Sequence, residues 1–161
     1  MSLFPPIDDN ALYFSMTDRD SFCSRHETKP FFLDEAEWQT IEHYYQAMKF
    51  DDPSYKEKIR VTESIQQVEK LGKSMFKRKR SDWKKVQTTV MTRAVYTQCK
   101  TYPEIAENLL ETGEQLLVEN SQFDYFWGCG RDRRGENHYG KVLMNVRNKL
   151  REEQSDQQSS R

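Results

Sequence analysis

The order of apolar and polar positions predicts a chain that begins with short strands and continues as helices. Residues 11–16 and 30–33 are rich in aromatic side chains and bounded by turn-forming residues, which is typical of strands. We expect them to belong to one small sheet. From Thr40 the apolar residues recur at helical spacing, which predicts a first helix through Phe50.

Capping signals indicate two further helices. Asp52 followed by Pro53 is typical of a helix start and predicts a second helix to about residue 61. A third helix is predicted to begin at Thr62 or Ser64 and to end at Gly72, because glycine commonly terminates helices.

The clearest amphipathic pattern starts at Trp83, from which apolar residues recur at helical intervals to Cys99. This pattern predicts a long helix packed on the core. Shorter elements are predicted beyond it: a helix from Pro103 to Glu111, extended segments over 116–118 and 123–127, and a last helix over 141–151.

These elements predict a mainly α (α-rich α+β) fold, a compact orthogonal helical domain with a small N-terminal β-hairpin and short extended segments. A chain of 161 residues is typical of one domain, which we place over residues 1–152. Residues 153–161 contain no apolar side chain, so we expect a disordered polar tail there.

Composition and charge narrow the class of protein. Lysine and arginine number 25 against 26 acidic residues, so the net charge of −1 provides no global field for nucleic acid or an anionic membrane. No apolar run approaches the roughly 20 residues of a membrane span, and MSLFPPIDDN lacks the pattern of a signal peptide. Three widely spaced cysteines fit reduced thiols. We therefore expect a cytoplasmic protein.

One stripe of the first predicted helix carries side chains suited to catalysis. Glu42, Tyr45, Gln46 and Lys49 share one side of this helix, while the apolar residues occupy the other. A stripe of this kind more often faces solvent, whereas the surrounding aromatic residues indicate a helix that is more enclosed than a usual surface helix, so the sequence alone does not choose between solvent and a cleft. In a partly dry site, a carboxylate and an amine acquire the shifted pKa values that acid/base or Schiff-base chemistry needs.

A basic run and a glycine-rich loop are the other candidates. Residues 73–85 carry seven cations and one acid just before a helix start, and they fit equally a solvated loop, a nucleic-acid or nuclear-targeting patch, or a phosphate contact. Residues 123–140 contain four glycines and three arginines, which suit close approach to an anionic ligand as well as a mobile surface loop. No spacing of cysteine and histidine predicts a metal, and we expect no cofactor.

Three motifs occur in an order that is typical of one family: EHYYQAMKF at 42–50, Trp83 opening the long helix after Gly72 and the basic run, and Asp124-x-x-Trp127-Gly128 with Gly130, Asn137 and Gly140 before the last helix. The chain resembles the YbiA-like (NADAR) proteins over most of residues 11–150. The resemblance implies an α-rich domain that cleaves N-glycosidic bonds. One branch of the family hydrolyses phosphoribosylamino-pyrimidine intermediates of riboflavin synthesis, and another removes ADP-ribose from guanine.

The resemblance also implies a set of site residues. Expected catalytic residues are Glu42, Lys49 and Asp124, and expected substrate-binding residues are Tyr45, Gln46, Arg80, Trp83, Trp127, Gly128 and Asn137. The assignment of Arg80 rests only on its spacing to Gly72 and Trp83. The chain departs from the family where Cys23-Ser24-Arg25-His26 replaces a common Phe-Ser-Asn-Phe, and where Cys129 replaces an acidic residue. These departures bear on the choice of substrate.

The chemistry of these residue types fits the implied reaction. Breaking a C–N glycosidic bond builds positive charge on the ribose, and a carboxylate near the sugar stabilises this charge. Glu42 is our first candidate for this carboxylate and Asp124 is the second. Lys49 would either bind a 5′-phosphate or attack the sugar C1 through a Schiff base. Trp127, Trp83 and Asn137 would hold the departing base.

Two other functions remain open. The same residues fit a non-catalytic module that binds NAD or ADP-ribose. Residues 73–85 also fit single-stranded nucleic acid, although the net charge makes this the weakest of the three readings. The expected partner is a small phosphoribosyl or ADP-ribosyl substrate or an ADP-ribosylated nucleic acid, with no membrane and no obligatory protein partner.

Overall fold

The computed structural model describes residues 7–161, and two sets of its residues each pack among themselves. The central unit comprises residues 25–101. The terminal unit comprises residues 102–161 together with the N-terminal segment up to residue 24. Residues 1–6 lie outside the described residues. They belong to the predicted domain and to the segment that lacks a signal-peptide pattern. A single domain over 1–152 stays a prediction.

The central unit begins with a hairpin of β2 (Phe31–Leu33) and β3 (Ala36–Trp38), in which Phe31 stands opposite Trp38. Asp34 and Glu35 form the two-residue turn, both with positive φ, as a hairpin turn that matches the strand twist requires. Four helices follow it: α1 (Ile41–Ala47), α2 (Pro53–Arg60), α3 (Ile65–Gly72) and α4 (Trp83–Thr101).

Helix α1 is the core of this unit, because α2, α3 and α4 all contact it and each of its seven residues is buried. Thr40 caps its first turn by accepting the His43 N–H. The His43 ring is satisfied on both sides, since its Nε2 lies 2.6 Å from the Thr62 carbonyl and its Nδ1 lies 2.8 Å from the Thr40 hydroxyl. A carbonyl only accepts, so Nε2 carries the proton and His43 is a structural residue.

The terminal unit is built on a parallel pair of strands, β1 (Leu12–Phe14) and β4 (Leu117–Glu119), with Leu12 opposite Leu117. Helix α5 (Pro103–Glu111) packs on helix α6 (His138–Ser159), which also packs on β4. Tyr139, at the start of α6, is fully buried and donates its hydroxyl to the Cys23 carbonyl at 2.7 Å.

Within the described residues the chain has six helices and two small sheets, so the mainly α fold class is confirmed. Three details differ from the sequence prediction. The two predicted N-terminal strands lie in separate sheets, because β1 pairs with β4 and β2 pairs with β3. The pattern of apolar residues does not indicate these partners. Residues 123–127 form turns instead of an extended segment, since the Asp124 carboxylate accepts backbone N–H groups of that stretch. Helix α1 ends at Ala47, and Phe50 instead pairs with Lys79.

The last helix is longer than predicted. Helix α6 begins at His138 and continues to Ser159, so the predicted end at Arg151 is wrong. No glycine or proline follows Arg151, and glutamate, glutamine and arginine favour helices. All side chains from residue 154 onward are exposed. Disorder of the tail over 153–161 stays a prediction. Among residues 7–161, none of the helices has the length and apolarity needed to span a bilayer.

Candidate functional site

The polar stripe of α1 is enclosed. Glu42, Tyr45 and Gln46 on α1, and Lys49 just beyond its end, are 2%, 5%, 4% and 8% exposed. The solvent-facing alternative for this stripe is therefore wrong, and the reason is that α2, α3 and α4 surround the helix. A carboxylate and an amine are both held away from water at this place.

Glu42 forms the centre of a buried polar cluster. Its Oε1 accepts the Gln46 amide at 2.6 Å, and its Oε2 contacts the Arg25 guanidinium and lies 3.6 Å from His26 Nε2. Burial raises the pKa of Glu42, but the opposing effect of Arg25, His26 and Gln46 is larger and lowers the pKa to about 2. Glu42 is thus an anion at neutral pH and has no proton to donate.

The Tyr45 ring forms an aromatic platform that two cations contact. The Arg25 guanidinium carbon lies 4.5 Å from the ring centroid, and the Lys49 ammonium lies 5.1 Å from it. Trp83, at the first position of α4, packs on the same ring with a centroid distance of 5.2 Å. The predicted residues Tyr45, Lys49 and Trp83 are therefore brought together, with Arg25 as an additional member.

Lys49 is a buried amine in a positive surrounding. Burial lowers its pKa to about 8, and the positive charge of Lys79 lowers it as well, whereas Glu42 raises it. The Lys49 carbonyl accepts the Arg80 N–H at 2.8 Å, which holds the two residues together. About a tenth of the Lys49 amines are therefore neutral at pH 7.

Arg80 differs from the other predicted residues of this unit. Its guanidinium donates to both oxygens of Asp82, at 2.6 and 3.0 Å. Its hydrogen bond with Lys49 is a backbone contact. The role of Arg80 in binding substrate stays a prediction.

Gly72 explains why Gln46 keeps its orientation. A Cβ atom at residue 72 would overlap the Gln46 amide group, so only glycine allows α3 to approach α1 this closely. Gln46 Oε1 is buried without a hydrogen-bond partner in the part of the chain that the structure describes. An acceptor in this state is suited to a donor group of a ligand.

One group of side chains has the composition of a metal site. Ligand atoms of His26, Glu42 and Glu69 lie within 4.8 Å of one another. However, both Glu42 oxygens already contact Gln46 and Arg25, so a cation would have to displace a guanidinium. The chemistry of this donor set does not fit a resident metal well, and the expectation of no metal stays a prediction.

The glycine-rich loop, residues 123–140, lies in the terminal unit, and two of its motif residues bind backbone groups of the loop and of β4. Asp124 Oδ1 accepts the N–H groups of Phe126 and Trp127 at 3.0 and 2.7 Å. Asn137 has a φ of 52°, accepts the Glu119 N–H and donates to the Leu117 carbonyl, each at 2.9 Å. These bonds fix the loop on β4.

Glu119 is a residue of this loop's support that sequence reasoning missed. It is fully buried, and its carboxylate accepts from the Met16 N–H, the Ser121 N–H and the Ser121 hydroxyl at 2.9–3.0 Å. A Cβ on Gly128 would overlap this carboxylate. A single acidic residue after an apolar run gives no sequence signal for such a role. Burial raises the pKa of the neighbouring Cys129 thiol, which is the opposite of what a reactive cysteine needs.

The structure thus groups the predicted residues into two sets. Glu42, Tyr45, Gln46, Lys49 and Trp83 meet in the central unit, while Asp124, Trp127, Gly128 and Asn137 meet in the terminal unit. Arg25 and His26 were noted in the sequence only as departures from the family pattern. No signal indicated that both would face Glu42.

Comparison with known proteins decides the family. The model of the NADAR domain matches residues 4–151. The chain belongs to the NADAR domain family. The NMR structure of the Escherichia coli protein YbiA is similar to it with a TM-score of 0.82 and 32% identity, covering 94% of this chain and 91% of that one.

Two further relatives are similar in sequence. An N-glycosidase from Nostoc punctiforme is 42% identical over 122 residues, which are 74% of this chain and 78% of that protein. A chloroplastic riboflavin biosynthesis protein of maize, PYRR, is 37% identical over 123 residues, which are 70% of this chain but only 20% of that protein. The E. coli protein is named N-glycosidase YbiA, and the sequences align over 86% of each chain.

Proposed function

We propose that this NADAR protein cleaves the C–N bond between base and ribose in a phosphoribosylamino-pyrimidine of the riboflavin pathway or in ADP-ribosylated guanine. It is a hydrolase acting on N-glycosyl bonds, because relatives named N-glycosidases align with it at 33% and 42% identity over most of their length. The name of the maize relative supports the riboflavin intermediate. The guanine substrate rests on the family resemblance alone.

The observation that carries the proposal is the buried amine of Lys49 beside an aromatic platform and an ionised Glu42. Burial lowers the pKa of this amine to about 8, so a useful fraction is neutral and nucleophilic. The neutral amine would attack C1 of the ribose and form a C1–Nζ bond while the bond from C1 to the base breaks and its electron pair leaves with the base, which takes up a proton. After loss of one Nζ proton, the nitrogen electron pair would open the ribose ring at the C1–O4′ bond, and O4′ would take up a proton, which leaves a protonated Schiff base between C1 and Nζ. Water then hydrolyses the resulting Schiff base and frees Lys49 and the sugar.

Glu42 would stabilise the positive charge that develops on the ribose, since it is an anion at neutral pH. Tyr45 and Trp83 would stack on the substrate, and the unpaired Gln46 acceptor would receive a sugar hydroxyl. Asp124, Trp127, Gly128, Asn137 and Arg80 stay proposed site residues by their match to the family motif.

A trapping experiment tests the covalent step. Borohydride is added during turnover of each substrate class, and the protein mass is measured for wild type, Lys49→Gln and the exposed-lysine control Lys58→Gln. We expect a reduced sugar adduct in wild type and in the control but not in Lys49→Gln. Turnover without an adduct would contradict the covalent role of Lys49.

The pH profile separates the two roles of Lys49. A nucleophile must be neutral, so kcat/KM should rise as the pH increases through about 8. An ammonium that binds phosphate must be charged, so kcat/KM would fall over the same interval.

One observation favours a second candidate, a non-catalytic module that binds NAD or ADP-ribose. Both oxygens of Glu42 already contact protein groups, as in a site that holds a ligand without transforming it. Such a module would bind ADP-ribose but release no base from either substrate, and Glu42→Gln would leave its affinity nearly unchanged. A hydrolase loses turnover in Glu42→Gln.

A further inference from the structure

The loop between α3 and α4 exposes two large apolar side chains among cations. Residues 73–79, the basic loop, carry Met75 and Phe76, which are 94% and 99% exposed. Neither of them contributes to the core of the central unit. Single exposed apolar residues are ordinary, but two adjacent and fully exposed ones mark a surface that another molecule can cover.

The cations of this loop differ in whether they form an ion pair with another side chain. Lys77 lies 3.4 Å from the Asp52 carboxylate and 5.2 Å from the centre of the Tyr55 ring. In contrast, Lys73, Arg78 and Lys79 are exposed and form no ion pair with any residue of the range 7–161. Three unneutralised cations therefore flank the Met75-Phe76 pair.

The loop is held at both ends, so it presents these side chains from a fixed position. At its start Ser74 donates its N–H to the Leu71 carbonyl of α3 at 3.3 Å, and at its end Lys79 pairs with Phe50. An exposed aromatic ring between cations suits a ligand in which flat apolar groups alternate with anions.

We propose that the basic loop is a binding surface for single-stranded polynucleotides, with Phe76 stacked on a base and Lys73, Arg78 and Lys79 on phosphates. Single strands without sequence preference are bound by this combination of stacking and backbone charge. An anionic membrane is less well matched, because interfacial binding needs a long apolar face and this loop has two apolar residues. The surface does not depend on the proposed glycosidase activity.

Binding of a labelled, unmodified oligothymidine measured by fluorescence anisotropy over a salt series tests this proposal. For three phosphate contacts, log K should fall with log salt with a slope of about −2, since each contact contributes about −0.7 on single strands. Phe76→Ala should weaken binding roughly five- to hundredfold. Arg78→Gln should reduce the slope by about 0.7.

Two exposed residues of the same types serve as controls. Phe32→Ala removes another exposed aromatic ring, and Lys141→Gln removes another exposed cation. Both should bind as wild type does. If either control weakens binding as much as its loop counterpart, or if Phe76→Ala binds as wild type does, the proposal is wrong.

Competing ligands provide the remaining outcomes. Vesicles rich in phosphatidylserine that bind more tightly than the oligonucleotide would overturn the proposal in favour of a membrane surface. Equal binding of duplex DNA would show attraction by charge without stacking and would overturn it too. Lys49→Gln should lose base release yet keep oligonucleotide binding, and Phe76→Ala should show the reverse, so failure of either proposal is distinguishable from failure of the other.

Discussion

Replacing Lys49 with methionine should stabilise the protein while it abolishes base release. In the folded protein burial lowers the pKa of this amine to about 8, against an ordinary value of 10.5. This difference corresponds to about 3 kcal/mol of folding free energy that the charged amine costs below pH 8. Methionine has a similar length and carries no charge, so Lys49→Met should raise the free energy of unfolding at pH 7 by up to about 3 kcal/mol.

The sign of the pH dependence follows from linkage. Between pH 8 and 10.5 the unfolded chain binds more protons at Lys49 than the folded one, so wild type gains stability as the pH rises. The advantage of Lys49→Met should therefore be complete below pH 8 and disappear towards pH 10.5. Urea unfolding of both proteins at several pH values measures this difference.

A matched variant separates burial from the loss of a charge in general. Lys58 on α2 is exposed, and Lys58→Met should change the free energy of unfolding by no more than about 0.5 kcal/mol. A destabilised Lys49→Met protein, or an advantage that is independent of pH, would refute the reasoning from the buried charge.

Three other changes test the surroundings of Lys49 and the loop of the terminal unit. Glu42→Gln should flatten the loss of stability between pH 4.5 and 2, because the wild-type carboxylate has a pKa of about 2 and stabilises the fold above pH 4.5; an unchanged urea profile at pH 5, 4 and 3 would contradict this. Gly72→Ala should displace the Gln46 amide and lower the free energy of unfolding by about 1–3 kcal/mol, measured by urea, whereas Gly113→Ala has open space but a positive φ and tests strain alone. Asn137→Ala should lower the melting temperature of the chain, because two hydrogen bonds and a left-handed position are lost, and an unchanged melting temperature would contradict the support that we assign to Asn137.

Local signals in the sequence predicted most of the helices. Helix α5 runs from Pro103 to Glu111 as predicted, and Asp52 caps α2 by accepting the Ser54 N–H at 2.9 Å. Both depend only on neighbouring residues. The pairing of β1 with β4 has no local signal, because residues 25–101 of the central unit separate the two strands along the chain.

The sequence indicated which residues to group as a candidate site but not the contacts among them. The motif around Glu42 and Lys49 identified the stripe, while its burial depends on three helices that pack around α1. The Arg25–Glu42 ion pair lacks any spacing rule, since it forms across the hairpin that separates the two residues. Asn137 illustrates the opposite limit, because its motif was evident whereas its hydrogen bonds to the β4 backbone were not.

The parallel pairing of β1 with β4 joins two segments that the ribosome synthesises at different times. The ribosome makes residues 25–101 without interruption, so every strand and helix of the central unit exists before Leu117–Glu119 is translated. Strand β1 therefore emerges before the central unit, while its hydrogen-bonding neighbour emerges only after that unit. Throughout that interval Tyr13 and Phe14 lie in a segment that lacks its partner strand, and an unpaired segment with exposed aromatic side chains is prone to misassociation.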